Sequence, residues 1–143
     1  MTYEKSCGFV PFIEKDGIRL YLLIRATNGD VGFPKDHVEG EESEYQTAIR
    51  ELKEERNIDI EIIDGFRCEI EYTFLSKIPI KKRVVYFLGR CTSYNVQCQE
   101  QEVLEAMFLP FEKAIDVVSF IETRNVLKQA EIFLNEVAQK DKC

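Results

Sequence analysis

Between Gly32 and Ile58 the chain reads GFPKDHVEGEESEYQTAIRELKEERNI, a polar loop running into a helix that ends in a knot of charge. From Ser43 onward, Tyr45, Ala48, Ile49 and Leu52 fall at i, i+3, i+4 and i+7, which predicts one apolar face turned to a core. Glu51, Glu54 and Glu55 are then expected on the side away from that face. Carboxylates at such spacings repel by a few tenths of a kcal/mol per pair. A bound cation reverses the sign. Ser43 and Gln46 form a capping box that specifies the helix start. Glu39, Glu41, Glu42 and Glu44 crowd the positive end of the dipole, where acids are favoured. Asn57 stands where a left-handed cap residue is expected. Arg50 and Glu54 are i, i+4 partners, and Arg50 to Arg56 holds three basic and three acidic residues. Periodicity alone therefore favours a solvated, salt-bridged surface helix.

The rest of the chain limits what such a helix can serve. With 143 residues, 45% of them hydrophobic, one domain spanning 1–143 with a sizeable core is expected. A net charge of −7 argues against non-specific binding to nucleic acid or an anionic membrane. It does not exclude anionic substrates, because divalent cations or a lysine cluster invert the field locally. Cys7, Cys68, Cys91, Cys98 and Cys143 are odd in number and lack C-x-x-C spacing, and His37 is the single histidine. That composition argues against a zinc site or a disulfide framework and for reduced thiols. No signal-peptide core or membrane-length apolar run is present, so a cytoplasmic location is expected.

In chain order, strands are expected over Ser6–Ile13 and Ile18–Arg25, joined by a turn at Asp16-Gly17. Pro11 suggests an edge or a bulge in the first of these. Asp59–Phe74 reads as one bent strand or two, interrupted at Asp64-Gly65. Ser76–Lys82 reads as a basic loop, Val84–Cys91 as a strand and Ala106–Leu109 as a short strand. Phe111–Phe120 and Glu122–Ala138 read as helices, the second burying Val126, Ala130, Phe133, Leu134 and Val137. This order predicts helices packed on a mixed sheet.

The spacing of the central stretch adds a specific signal. Glu42, seven residues, then Arg50-Glu51-Leu52-x-Glu54-Glu55-x-Asn57-Ile58 resembles the Nudix hydrolase signature. Asp36 and Asn57 replace its two glycines, and both residue types tolerate positive φ. The resemblance implies an α/β/α sandwich, a mixed sheet with helices on both faces. It implies that Glu51, Glu54 and Glu55, with the backbone carbonyl of Lys35, hold Mg²⁺ or Mn²⁺, ions that prefer oxygen ligands. It also implies that Arg50 orients the carboxylates and pairs with Glu42, and that water attacks a diphosphate linked to another moiety.

Outside that box, from Cys7 to Ala114, the chain is most similar to asymmetric diadenosine tetraphosphate hydrolases. Cys7-Gly8, Phe33-Pro34-Lys35, Gly65-Phe66, Tyr72 and Lys82-x-Val84-Val85-Tyr86 carry the likeness. It implies that Lys35 and Lys82 contact phosphate, that Tyr72 stacks on adenine, and that Glu102 is a distant metal ligand or base. Glu102 also reads as an exposed acid in an acidic segment. A second stacking tyrosine is expected where Ala106 stands. The partner implied is a small nucleotide; the sequence leaves the oligomeric state open, with a monomer favoured. Nucleoside triphosphates, a triphosphorylated RNA 5′ end and a non-catalytic nucleotide-binding module are the alternatives.

Overall fold

The turn at Asp16-Gly17 places both residues at positive φ, 53° and 80°. This is the geometry of a two-residue hairpin whose twist matches that of its strands. It joins β1 (Thr2–Lys15) to β2 (Ile18–Ala26) in the computed structural model, which describes residues 2–74, 77–92 and 103–141. Two short strands follow, β3 (Val31–Gly32) and β4 (Lys35–His37). Helix α1 (Glu44–Arg50) then runs into a π-helical turn over Glu51–Glu55. Next come β5 (Ile60–Ile62), β6 (Cys68–Phe74), β7 (Ile80–Cys91) and β8 (Val103–Pro110). Helices α2 (Phe111–Val117) and α3 (Ile121–Asp141) complete the chain.

The strands form one mixed sheet with the path β3-β2-β1-β7-β5; β4 joins β1, β6 joins β7 and β8 joins β2. Strand β1 lies parallel to β7 from Thr2 to Phe12. On its other side it pairs with β4 from Ser6 to Gly8 and with β2 from Phe12 to Lys15. Pro11 sits in the gap between these two partners, so its missing N–H interrupts no ladder there. The edge position that a proline suggests is not needed, and β1 is central.

Alternation along the strands divides the core. Val10, Phe12, Tyr21, Leu23, Tyr86 and Leu88 face α2 and α3, where Ala114, Val126, Leu127, Ala130 and Leu134 cover them. Cys7, Phe9, Leu22, Val85 and Phe87 face the opposite way, under Ala48 and Leu52 of the first helix. A sheet buried on both faces is the α/β/α sandwich expected. The α2 helix is shorter than its sequence suggests. Ser119 is drawn to β3 instead: its N–H donates to the Val31 carbonyl (3.1 Å), and its hydroxyl accepts from the Val31 N–H (2.8 Å). Strand β7 begins earlier than expected because Lys81, Lys82 and Arg83 lie opposite Thr73, Tyr72 and Glu71 of β6.

Two features of the first helix differ from its heptad pattern. Tyr45 and Ile49 are 38% and 41% exposed, whereas Thr47, Ala48, Glu51 and Leu52 are fully buried. The helix is therefore rotated toward its polar side, and the Tyr45 ring lies flat on Phe87 with centroids 3.9 Å apart. Glu51 faces inward, not outward.

Gly8 lets β4 lie close against β1, because a Cβ there would overlap the Pro34 carbonyl and crowd Lys35. Gly8→Ala should force this strand pair apart and lower stability by about 1–3 kcal/mol, read as a lower urea midpoint with unchanged slope.

Candidate active site

Helix α1 begins as its capping box requires: the Gln46 N–H donates to Ser43 Oγ (3.1 Å), and the Ser43 N–H donates to Gln46 Oε1 (2.8 Å). This fixes where Arg50 emerges one turn later. Arg50 does not pair along its own helix. Its Nε donates to Glu42 Oε2 (2.9 Å) and Nη2 to Glu42 Oε1 (3.2 Å). Nη1 reaches Asp36 Oδ2 (3.1 Å), and Nη2 also donates to the His37 carbonyl (3.0 Å). Lys53 pairs with Asp59 at 2.7 Å. These partners lie outside the helix, so it is not a self-contained salt-bridged surface element; Arg50 ties it to β4 and to the loop between them.

Beyond Arg50 the ladder widens to a π turn, which adds one residue to each hydrogen-bonded ring. In that geometry residues four and five positions on are brought over Glu51, while the residue three on swings away. Glu55 accordingly joins Glu51 and Asp36 in a group whose carboxylate oxygens lie within 4.8 Å of one another. Glu54 is exposed and outside that group. Arg56 is turned inward, its Nη2 3.2 Å from Glu51 Oε1, with side-chain exposures of 2% and 1%. Asn57 closes the turn at φ 55°, and the Leu52 carbonyl accepts from both the Arg56 and Ile58 N–H groups. Asp36 needs no such freedom. It lies in extended β4 opposite Cys7, and its side chain takes the place that a glycine would leave open.

Three convergent carboxylates are hard oxygen donors, the set that suits Mg²⁺ or Mn²⁺. Asp36 was not legible as a member of this set, because the signature asks for a glycine there. Its place two residues before Val38, on a strand facing the helix, becomes visible only with the fold.

A cleft of about 450 Å³ adjoins this group. Lys35, next to Asp36, and Arg56, in contact with Glu51, line it together with Tyr72, Lys82 and Phe120. Tyr72 and Lys82 are direct cross-strand partners on β6 and β7. Strand alternation turns Lys81 and Arg83 the other way, where they pair with Glu71 and Glu69. Of the basic cluster, Lys82 is thus the residue that reaches the cleft, 3.7 Å from Glu4 on β1. Lys35 is exposed, yet it also lines the cleft. Desolvation there, and then the like charge of Lys82, hold its pKa below the ordinary lysine value.

Ala106 lies on β8 opposite Ile24 and packs toward the α1 side of the sheet. It is not among the residues that line the cleft, although its cross-strand partner Ile24 is. Phe120, 53% exposed, lines the cleft instead, held at the α2–α3 turn by the Ser119–Val31 bonds. In the sequence it reads as the last residue of a helix, with nothing to tie it to Tyr72. Glu102 lies outside the described residues. His37 stays structural, its Nδ1 3.3 Å from Ser6 Oγ.

Comparison with known proteins finds relatives of this chain and of its fold. Residues 4–131 match the family model described as NUDIX domain. The asymmetrical bis(5′-nucleosyl)-tetraphosphatase of Sus scrofa is 33% identical, across 94% of this chain and 97% of its own length. The Mus musculus enzyme of the same description is 34% identical, across 91% and 95%. The crystal structure of a Caenorhabditis elegans Ap4A hydrolase binary complex superposes with a TM-score of 0.83 at 29% identity, covering 93% of this chain and 98% of that one.

Arg50 first, and then the Glu39 N–H, hold the Glu42 carboxyl down at about 2, against an ordinary 4.5. A carboxyl whose folded pKa is depressed stabilises the fold fully above its unfolded pKa and loses that contribution as pH falls. Urea midpoints of the wild type should therefore decline between pH 4.5 and about 2. Glu42→Gln should be less stable at neutral pH and show a flatter decline in that window.

Proposed function

The chain belongs to the NUDIX domain family, and we propose that this pyrophosphohydrolase cleaves dinucleoside polyphosphates, diadenosine tetraphosphate first among them. The observation that carries the proposal is one cleft, lined by Lys35, Lys82 and the rings of Tyr72 and Phe120 among others, that meets three convergent carboxylates through Lys35 next to Asp36 and Arg56 against Glu51. A polyphosphate needs the cations, and a purine needs a flat apolar partner. Tyr72 and Phe120 come from different layers of the fold, a strand and an inter-helix turn, and both offer a ring to the same cavity.

In this reading Glu51 and Glu55, with Asp36 beside them and the Lys35 carbonyl, hold Mg²⁺ or Mn²⁺. When bound, the ion supplies Lewis acidity: it makes water a better nucleophile near neutral pH and offsets charge developing on the phosphoryl oxygens. Lys35 and Lys82 bind and orient the phosphate chain. Arg50 keeps Asp36 and the loop in register with the helix. The proton of the attacking water passes to a carboxylate; Glu54, which is exposed, and Glu102 are the candidates. Tyr72 and Phe120 hold the base. We place the enzyme in the cytoplasm, where the reduced, buried thiols of Cys7, Cys68 and Cys91 are at home.

The test is a Mg²⁺-dependent hydrolysis screen over dinucleoside polyphosphates, NTPs, dNTPs, nucleotide sugars and triphosphorylated RNA. Diadenosine tetraphosphate should give ATP plus AMP. Glu55→Gln should lower kcat on the order of 10²-fold. Tyr72→Ala and Phe120→Ala should each weaken substrate binding by roughly 1–3 kcal/mol, seen in KM. Equal release by wild type and Glu55→Gln on every substrate would overturn the enzymatic reading. A preference for mononucleotides with no response to Phe120→Ala would overturn the dinucleotide one.

A further inference from the structure

Arg56 occupies a variable position of the signature, yet it is among the most deeply buried side chains of the fold, 1% exposed. Its place follows from the π turn. Residues five apart do not face one another on an α-helix, but one extra residue per ring brings Glu51 and Arg56 to the same side. The pair is then sealed between the helix and the cleft wall, with Arg56 lining the cleft and Glu51 joining Asp36 and Glu55. A buried carboxylate needs a countercharge. A divalent ion would provide one, but Arg56 is already there, and a guanidinium is a permanent charge in proteins. On the other flank Asp36 carries Arg50 at 3.1 Å. Glu51 and Asp36 thus each contact an arginine, which lowers the negative charge that the protein presents to an incoming ion.

We infer that Arg56 is a positioning residue that serves as resident counter-cation to Glu51. It holds that carboxylate in place without a divalent ion, and it weakens the protein's own hold on the ion. The phosphates of the substrate, drawn in by Lys35 and Lys82, then supply the missing negative charge. The ion accordingly binds well only together with a polyphosphate. This inference rests on the reading of Glu51 as a residue that helps hold the ion.

The test uses Mn²⁺ alone, without nucleotide, on the full chain. Its two readouts are the Mn²⁺ affinity and the melting temperature in chelator and in saturating Mn²⁺. Arg56→Met should melt well below the wild type in chelator and recover most of the difference in Mn²⁺. It should also bind Mn²⁺ at least about tenfold more tightly, the effect of removing a unit charge close to the ion. Arg56→Lys, which keeps the charge, should stay near the wild type in both readouts. A loss of stability that is equal with and without Mn²⁺, up to failure to fold in both, would assign Arg56 to packing and overturn the inference. Mn²⁺ affinity unchanged or weaker in Arg56→Met would do the same. Glu51→Gln separates the two readings. If it binds Mn²⁺ as the wild type does, Glu51 is not a ligand and the underlying reading fails. If it loses Mn²⁺ while Arg56→Met gains nothing, only the role of Arg56 fails.

Discussion

The site hangs on a single guanidinium. Arg50, only 14% exposed, grips both oxygens of Glu42, one oxygen of Asp36 and the carbonyl of His37. Bidentate, charge-assisted bonds of this kind fix direction as well as distance. They hold the first helix against β4, the strand that carries Lys35 and Asp36. From the other side Gly8 brings β1 against the same strand without a side chain between them. Lys35 and Asp36 are thus set between a clamp and a close approach, on backbone that has little room to move.

The π turn does the complementary work on the helix. It decides which charges converge: Glu55 and Arg56 come to Glu51, and Glu54 turns to solvent. An uninterrupted α-helix would have left Glu51 facing Glu54 and Glu55 about equally and kept Arg56 away. Widened turns of this sort are frequent at functional sites. The chemistry explains why, since one extra residue moves a countercharge into a place that regular geometry cannot reach. Strand alternation makes the corresponding choice on the sheet. Lys82 and Tyr72 share the cleft side of β6 and β7, while Lys81 and Arg83 are spent on glutamates of the other side. An acidic protein can in this way direct Lys82 into its cleft.

Much of this was legible in the order of residues. The capping box, the left-handed Asn57, the Asp16-Gly17 turn and the alternating strands are local, and local propensity agrees with the fold at each. The seam of α3, Val126 to Val137, is buried or half-buried as its period requires. Features that depend on more than one element were misread. Tyr45 and Ile49 looked like core, yet the inward turn of Glu51 and Arg56 rotates the helix and leaves them half-exposed. Ala106 reads as the gap in a pair of stacking rings; the structure packs it against the cluster under the first helix, and Phe120 lines the cleft that Tyr72 also lines.

The sequence by itself determined the type of chemistry, because the carboxylates, the arginine that orders them and the turns around them lie within one short stretch and obey local rules. Only the tertiary structure decided which side chains come together at the candidate site. Asp36, Arg56 and Phe120 join it through a strand register, a widened helical turn and a bond between Ser119 and Val31. Those contacts link residues far apart in the chain or break the regular period, and a pattern read along one dimension has no term for either.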